Sequence, residues 1–353
     1  MKQLKVAIVG CGNVSKVHLA AAASNPSAKL IAVCDIKEDR AKKASTEFGV
    51  PYYTDYHQVL ALEPDVIHIC TPHHVHAEIA IAAANKGIHV LTEKPMAVTL
   101  HDADRMIQAA QDNNITLGVI FQNRYNPSSR AMKEAVVSGE LGEILGGRLF
   151  VTWMRNDEYY SKSDWKGTWD MEGGGVLIDQ AIHTMDLMQW IMGPIKSLEG
   201  SMDNRTHDII HVEDVAEATV FFQNGAVGSL YACNFFTYDA DVLLEIHGKN
   251  GVARLEKDTA VIRIQGQPER VVYAEGNQEV IGKSYWGVSH KTQIDEFYAD
   301  IMANRPVKID GVAGRKALEF VRAIYYSGTQ GGMLVQFPFA EPEGFIPPSL
   351  THP

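Results

Sequence analysis

Short apolar runs with almost no polar interruption recur through the first third of this chain, each separated from the next by a helix-length stretch. They are Val6-Ala7-Ile8-Val9, Lys29-Leu30-Ile31-Ala32-Val33-Cys34, Asp65-Val66-Ile67-His68-Ile69-Cys70, Ile88-His89-Val90-Leu91 and Ile115-Thr116-Leu117-Gly118-Val119. A strand with one wet face alternates, so unbroken hydrophobicity marks strands covered on both faces, as in a parallel sheet flanked by helices. Residues 76–86 and 101–113 carry the Ala-rich or amphipathic patterns of covering helices. This rhythm predicts a doubly wound parallel α/β domain over residues 1–123.

The remainder reads differently. Residues 128–139 form one helical pattern, after which strand-like alternation dominates at 148–153, 215–222, 227–233, 242–247, 252–255 and 260–264. Asn224-Gly225 and Asn250-Gly251 are turn dipeptides placed between such runs, as hairpins require. Helical patterns at 175–192, 290–302 and 311–326 interrupt or follow the strands, and a Pro-rich tail occupies 337–348. The expected second domain is an α+β unit over residues 124–353, an open, mostly antiparallel sheet with helices on one face. Such a sheet would leave a face to be covered by a second copy, so a homodimer or homotetramer is expected.

Composition narrows the function classes. With 32 basic against 43 acidic residues the net charge is −11, which argues against a nucleic-acid partner but leaves room for a small anion held by local donors. No apolar run reaches the roughly 18 residues of a membrane span, and Met1-Lys2-Gln3-Leu4-Lys5 leads into a strand rather than a signal-peptide pattern. Cys11, Cys34, Cys70 and Cys233 form no CxxC pair. His73-His74-Val75-His76 has no acid or cysteine cluster at metal-ligand spacing and reads as turn and helix-start histidines. The expectation is a cytoplasmic chain with reduced thiols, no metal, and no membrane partner.

Gly10-Cys11-Gly12-Asn13-Val14-Ser15 stands between the first strand and the first helix. A glycine turn there lets backbone approach a pyrophosphate, whose charge the helix N-terminus favours. Ser15 replaces the third glycine of GxGxxG, so the motif draws its weight from the strand before it and the helix after it. Asp35 closes the second strand, where a carboxylate accepts from both hydroxyls of an adenine ribose and repels a 2′-phosphate. NAD is therefore expected over NADP, with Arg40 able to soften the preference. Thr71-Pro72 follows the third run, at the edge where open α/β sheets bind ligands.

Thr92-Glu93-Lys94-Pro95 ends the fourth run on that same edge, and Gly173-Gly174-Gly175-x-x-x-Asp179-x-x-x-His183-x-x-Asp186 follows in the second domain. Oxidising a secondary alcohol requires a hydride acceptor, a base for the hydroxyl proton, and a cation or donor beside the developing alkoxide. Asp179 and His183 are four apart on a predicted helix and share one face, with the glycines leaving room before it. An imidazole titrates near neutrality and suits the base. Taken singly, a strand-end lysine or a helical Asp–His pair is a surface feature; their joint occurrence points to chemistry. Asp186 is either an orienting partner of His183 or a solvent-facing carboxylate.

Together the glycine turn, Asp35, the Glu93-Lys94-Pro95 strand end and the Gly173 to Asp186 run resemble the Gfo/Idh/MocA family of NAD(P)-dependent sugar and cyclitol oxidoreductases over essentially the whole chain. The resemblance implies a Rossmann domain joined to an open antiparallel sheet domain, with the active site in the cleft between them. It implies that Lys94 binds the reacting hydroxyl, that His183 transfers its proton, and that Asp179 binds substrate or orients the base. Cofactor contacts are implied at Gly10, Gly12, Asn13, Val14, Asp35, Thr71, Pro72, His76, Glu93 and Lys94. Substrate contacts are implied at Lys94, Arg124, Tyr125, Arg155, Trp165, Asp179 and His183. Gln180-Ala181 departs from the Leu-Gly or Gln-Gly common in the family, and Ala181 is still small.

Three polar and aromatic segments suit a carbohydrate: Asn123-Arg124-Tyr125-Asn126-Pro127, residues 153–160, and Trp165-Lys166-Gly167-Thr168-Trp169. Aromatic faces stack on sugar C–H surfaces, and Arg or Asn side chains bond hydroxyls or a carboxylate; the same aromatics could instead pack a subunit interface. The expected activity is an NAD-dependent dehydrogenase of a sugar, sugar derivative or cyclitol. The alternatives are a glycoside-cleaving enzyme that recycles a tightly bound NAD, and a non-catalytic sensor of NAD or sugar.

Overall fold

The computed structural model describes residues 3–273 and 289–350, which divide into two compact units. The first unit contains a six-stranded sheet of β1 (Leu4–Val9), β2 (Ala28–Cys34), β3 (Tyr52–Tyr53), β4 (Val66–Ile69), β5 (His89–Thr92) and β6 (Leu117–Val119). Its order is β3-β2-β1-β4-β5-β6 and every pairing is parallel. Helices α1 (Ser15–Ser24), α2 (Glu38–Phe48), α3 (Tyr56–Leu60), α4 (His76–Ala84) and α5 (Leu100–Asp112) connect the strands. The apolar runs are buried as their continuity predicts: Val6, Ala7 and Ile8 of β1 have no exposed surface. On α5, Leu100, Ala103, Met106 and Ala110 fall at helical spacing and are buried, and the Thr99 hydroxyl caps the first turn by accepting from Asp102 N.

The second unit is built on α6 (Pro127–Val137), β7 (Ile144–Thr152), α7 (Asp157–Ser161), α8 (Ile182–Met192), β8 (Ile195–Asp203), β9 (Val215–Phe222), β10 (Val227–Cys233), β11 (Leu243–Gly248), β12 (Gly251–Glu256), β13 (Thr259–Ile264) and β14 (Arg270–Val272). Next along the chain come α9 (His290–Met302), α10 (Gly311–Thr329) and β15 (Val335–Gln336). The nine-stranded sheet has the order β14-β13-β12-β11-β7-β10-β9-β8-β15. Its pairings are antiparallel apart from β7 with β10, which run parallel. In β9 the alternation places Ala216, Ala218, Val220 and Phe222 inside, with Glu217 outside. Strand β8 has no counterpart in the sequence reading, because Glu199, Gly200 and Ser201 break its apolar alternation.

Two expectations need correction. The helix expected over 175–192 is a π turn, Val176–Ala181, followed by α8. The second domain, expected to run unbroken over 124–353, does not include the described residues 289–315, which belong to the first unit; the division falls again between residues 315 and 316. Both polar and apolar contacts draw that segment across. On α9, Ile294, Phe297 and Tyr298 enter the cluster formed by Ile8, Leu19 and Val66. Gln293 donates from Nε2 to the Val119 carbonyl (2.8 Å) and accepts at Oε1 from Phe121 N (3.1 Å), pairing backbone groups where β6 ends.

Candidate active site

Because all six strands of the first sheet are parallel, their carboxyl ends lie along one edge. Val9 pairs with Cys34 and Ile69, and Ile69 with Thr92. The residues that follow these ends, Gly10, Asp35, Thr71 and Lys94, therefore share that edge. Gly10 has φ +93°, and a Cβ there would lie 2.4 Å from the Cys70 carbonyl carbon and oxygen, so only glycine permits the turn to close on β4. A Cβ on Gly12 would meet nothing within 4 Å.

Helix α1 begins without a side-chain cap, Val14 being at the N-cap position, and Ser15 Oγ donates to the Gly12 carbonyl. No side chain competes there for an anion, and of the first turn Val17 N donates to the Val14 carbonyl at 3.1 Å. Asp35 is buried; Oδ2 accepts from Cys11 N and Oδ1 from Lys37 N, both at 2.8 Å, which fixes the carboxylate and still leaves each oxygen a lone pair for a ribose hydroxyl. Thr71 Oγ1 is buried with no hydrogen-bond partner among the described residues. An uncapped helix start, an open glycine and an unmatched hydroxyl fit a dinucleotide. Asn13 is exposed beside them and Pro72 half-buried.

Lys94 is half-buried and is held from both sides. Its backbone N–H donates to Glu93 Oε2 at 3.2 Å. After it, the Pro95 carbonyl lies 2.8 Å from His76 Nδ1, while the Thr71 carbonyl lies 2.9 Å from His76 Nε2. His76 is fully buried and ties two strand-end loops together, and Glu93 turns its Oε1 to His18 at 3.0 Å. Both are thus engaged inside the protein, although they were expected among the cofactor contacts. Burial works to raise the Glu93 carboxyl, but His18 and His290 prevail and hold it well below the usual range.

In the second unit the π turn carries Asp179 and the first turn of α8 carries the half-buried His183. In a π turn four residues fall short of a full revolution, where in an α-helix they slightly exceed one, so Asp179 and His183 are not related by the ordinary helix turn that was expected. Asp179 Oδ2 accepts from Tyr159 OH (2.8 Å), from Gln180 Nε2 (2.7 Å) and from the Lys166 ammonium. Lys166 also bonds Glu172 Oε1 at 3.0 Å, and Glu172 Oε2 accepts from Gly167 N. Asn234 Nδ2 donates to Gln180 Oε1 and to Tyr160 OH, both at 3.0 Å, closing the network. Burial opposes the Lys166 charge, yet Asp179 and Glu172 hold its titration well above the lysine range. Burial pushes Glu172 up to about 7 against Lys166. An oxygen that receives three donors is an anchored acceptor rather than a free proton acceptor.

The expected substrate residues are distributed unevenly. Trp165 stands with this network, its ring 4.5 Å from the Lys166 Nζ. Arg155 is buried with its guanidinium over Trp153 and Tyr159, bonded to the Met154 carbonyl and to Asp239. Arg124 grips Asp186 with two bonds, Nε to Oδ2 at 2.8 Å and Nη2 to Oδ1 at 2.5 Å, so Asp186 serves Arg124. Tyr125 is buried beneath Arg130.

Sequence reasoning missed Glu172, Asn234 and the buried acid Glu213, and named Lys166 and Gln180 only as parts of the 165–169 segment and of the Gln180-Ala181 pair, without a role at Asp179. Lys166 had a signal, a cation flanked by aromatics; Asn234 and Glu213, far along the chain from Asp179, had none. Among the described residues no three or more of His, Cys, Asp and Glu are grouped to hold a metal ion, and no helix is long and apolar enough to cross a membrane.

A strand-end lysine beside an uncapped dinucleotide turn is the arrangement of a dinucleotide-dependent oxidoreductase. Comparison with known proteins narrows this. The chain belongs to the GFO/IDH/MocA family: the oxidoreductase model with an NAD-binding Rossmann fold matches residues 4–121, and the GFO/IDH/MocA C-terminal domain matches residues 129–254. It is 31% identical over 248 residues to D-glucoside 3-dehydrogenase of Escherichia coli, covering 64% of this chain and 68% of that one. It is 26% identical over 332 residues to myo-inositol 2-dehydrogenase of Thermotoga maritima, covering 89% and 93%. The crystal structure of the WlbA dehydrogenase from Bordetella pertussis, in complex with NADH and UDP-GlcNAcA, superposes with a TM-score of 0.85 at 28% identity, covering 96% of this chain and 100% of that one. The protein is an NAD-dependent oxidoreductase acting on CH–OH groups, and these dehydrogenases lend no support to the glycoside-cleaving alternative.

Proposed function

We propose that the enzyme moves hydride between a ring secondary alcohol of a sugar, sugar derivative or inositol and NAD, with Lys94 and His183 assisting proton transfer. The observation that carries this reading is Lys94 on the strand edge it shares with Gly10, Asp35 and Thr71. Bound NAD supplies the hydride acceptor. Lys94 donates to the alcohol oxygen and stabilises the charge that grows there as the proton leaves. His183 accepts the proton, imidazole being suited to transfer near neutrality. Asp179, fixed by Lys166, Tyr159 and Gln180, contributes a stationary negative charge and an acceptor for a neighbouring hydroxyl. Trp165 offers an aromatic face to sugar C–H groups.

Asp35 supports NAD over NADP. Four free cysteines, three of them buried, suit a reducing cytoplasm. Phe150, Tyr231 and Phe221, half-buried on the outer side of the second sheet, favour association with a second copy, measurable by light scattering. The central test is Lys94→Ala assayed at 340 nm against a panel of monosaccharides, glycosides, inositols and nucleotide sugars. Turnover should fall at least about a hundredfold with NAD affinity retained; normal turnover overturns the roles assigned here.

A further inference from the structure

Behind the strand-end lysine, five buried polar side chains of the first unit form one connected chain. Glu93 Oε1 is 3.0 Å from His18 Nε2 and 3.6 Å from His290 Nε2, and Glu93 Oε2 accepts from Lys94 N. His18 Nδ1 lies 2.8 Å from His68 Nδ1, and His68 Nε2 lies 2.9 Å from the Tyr298 hydroxyl. All five side chains are buried, and they come from α1, β4, the end of β5 and α9.

A carboxylate oxygen only accepts, so His18 Nε2 carries a hydrogen. Burial, reinforced by His18, holds His68 well below the usual histidine range, so it is neutral. A neutral imidazole carries one hydrogen, so His68 donates on one side and accepts on the other, linking His18 Nδ1 to the Tyr298 hydroxyl. Burial keeps Tyr298 as a hydroxyl, able to fill either role. The bonds run unbroken from Tyr298 to Glu93.

Apolar side chains at 18 and 68 would hold α1 against β4 at least as well, since a buried polar network gains little over good packing. What the polar chain adds is a single rotation for the Glu93 carboxylate, and that carboxylate holds the backbone of Lys94. We propose that Glu93 is a positioning residue for Lys94, oriented by the chain from Tyr298 through His68 and His18. This rests on the reading of Lys94 given under Proposed function. It also gives α9 a purpose beyond packing: it supplies Tyr298 at the far end of the chain and His290, whose Nε2 lies 3.6 Å from Glu93.

A double-mutant cycle on the full-length enzyme with NAD tests it. In Glu93→Gln the amide keeps an acceptor for His18 but turns a donor toward Lys94 N–H. The single variant should lower kcat about tenfold or more, with NAD affinity by fluorescence titration within about threefold of wild type. Combined with Lys94→Ala it should add no further loss. An additive loss, or a loss of NAD affinity alone, overturns the positioning role while leaving Lys94 catalytic. Normal turnover in Lys94→Ala alone instead overturns the reading beneath it. Should Glu93→Gln not fold, Tyr298→Phe probes the far end: a severalfold drop in kcat that vanishes in the Lys94→Ala background supports the proposal. A lowered Tm with unchanged kcat overturns it.

Discussion

Glu213 and Gly175 meet twice. The Glu213 carboxylate accepts the Gly175 N–H at 2.8 Å, and the Glu213 carbonyl oxygen occupies the place, 1.9 Å away, where a Gly175 Cβ would stand. Glu213 also accepts from Leu177 N at 3.0 Å and from Tyr325 OH at 2.8 Å, so one buried acid caps the π turn that carries Asp179 and leads to His183.

Gly175→Ala should therefore be severely destabilising. The added carbon has nowhere to go but into the backbone of residue 213, and overpacking of this kind costs about 1–3 kcal/mol or more. Thermal melting and steady-state kinetics check this together: Tm should drop by several degrees and kcat should fall as the π turn shifts. An unchanged Tm would refute the packing argument.

The same acid makes stability depend on pH. Burial pushes Glu213 up to about 7 despite its donors. A carboxyl raised in the folded state contributes fully below its ordinary value near 4.5 and loses that contribution as pH climbs through about 7. The loss amounts to roughly 3 kcal/mol at most, at about 1.4 kcal/mol per unit. Melts of wild type and Glu213→Gln should show wild type's relative advantage shrinking between pH 5 and pH 8. Glu172 titrates in the same interval but is common to both proteins and cancels. A difference independent of pH would show that Glu213 stays ionised.

Lys166→Met should leave Asp179 and Glu172 as buried acids without their shared cation. Removing one partner of a buried pair costs about 3–5 kcal/mol. We expect a raised KM for the alcohol and a reduced kcat, with NAD affinity unchanged because the residues proposed to bind NAD belong to the other unit. Lys166→Arg should restore part of both. Wild-type KM in Lys166→Met would remove Lys166 from the site.

Asp35→Ala deletes the proposed ribose acceptor and the clamp on Cys11 N. NAD should weaken by about tenfold, on the order of 1.4 kcal/mol, and NADP much less, since the repulsion of a 2′-phosphate goes too. Equal losses for both cofactors, read by titration, would dismiss Asp35 as the selector.

Much of this was legible in one dimension. Unbroken apolar runs fix a parallel sheet because both faces must be covered, and a parallel sheet places every strand's carboxyl end on one edge. Gly10, Asp35, Thr71 and Lys94 follow those ends, so the sequence by itself decided that they would gather. Hairpin dipeptides and alternation likewise foretold β9 to β13, because register is a local property once the inward face is set.

What tertiary structure decided is pairing at a distance. Nothing near Asp179 announces Asn234, nothing near Gly175 announces Glu213, and nothing in residues 290–302 tells that their helix returns to the first unit to bond Val119 and His68. A hydrogen bond leaves no periodic trace in a sequence, and its partner is chosen by which elements the completed core brings within 3 Å. Arg124 and Asp186 make the same point from the other side: Arg124 was expected at the substrate and Asp186 either beside His183 or in solvent, and folding pairs each with the other.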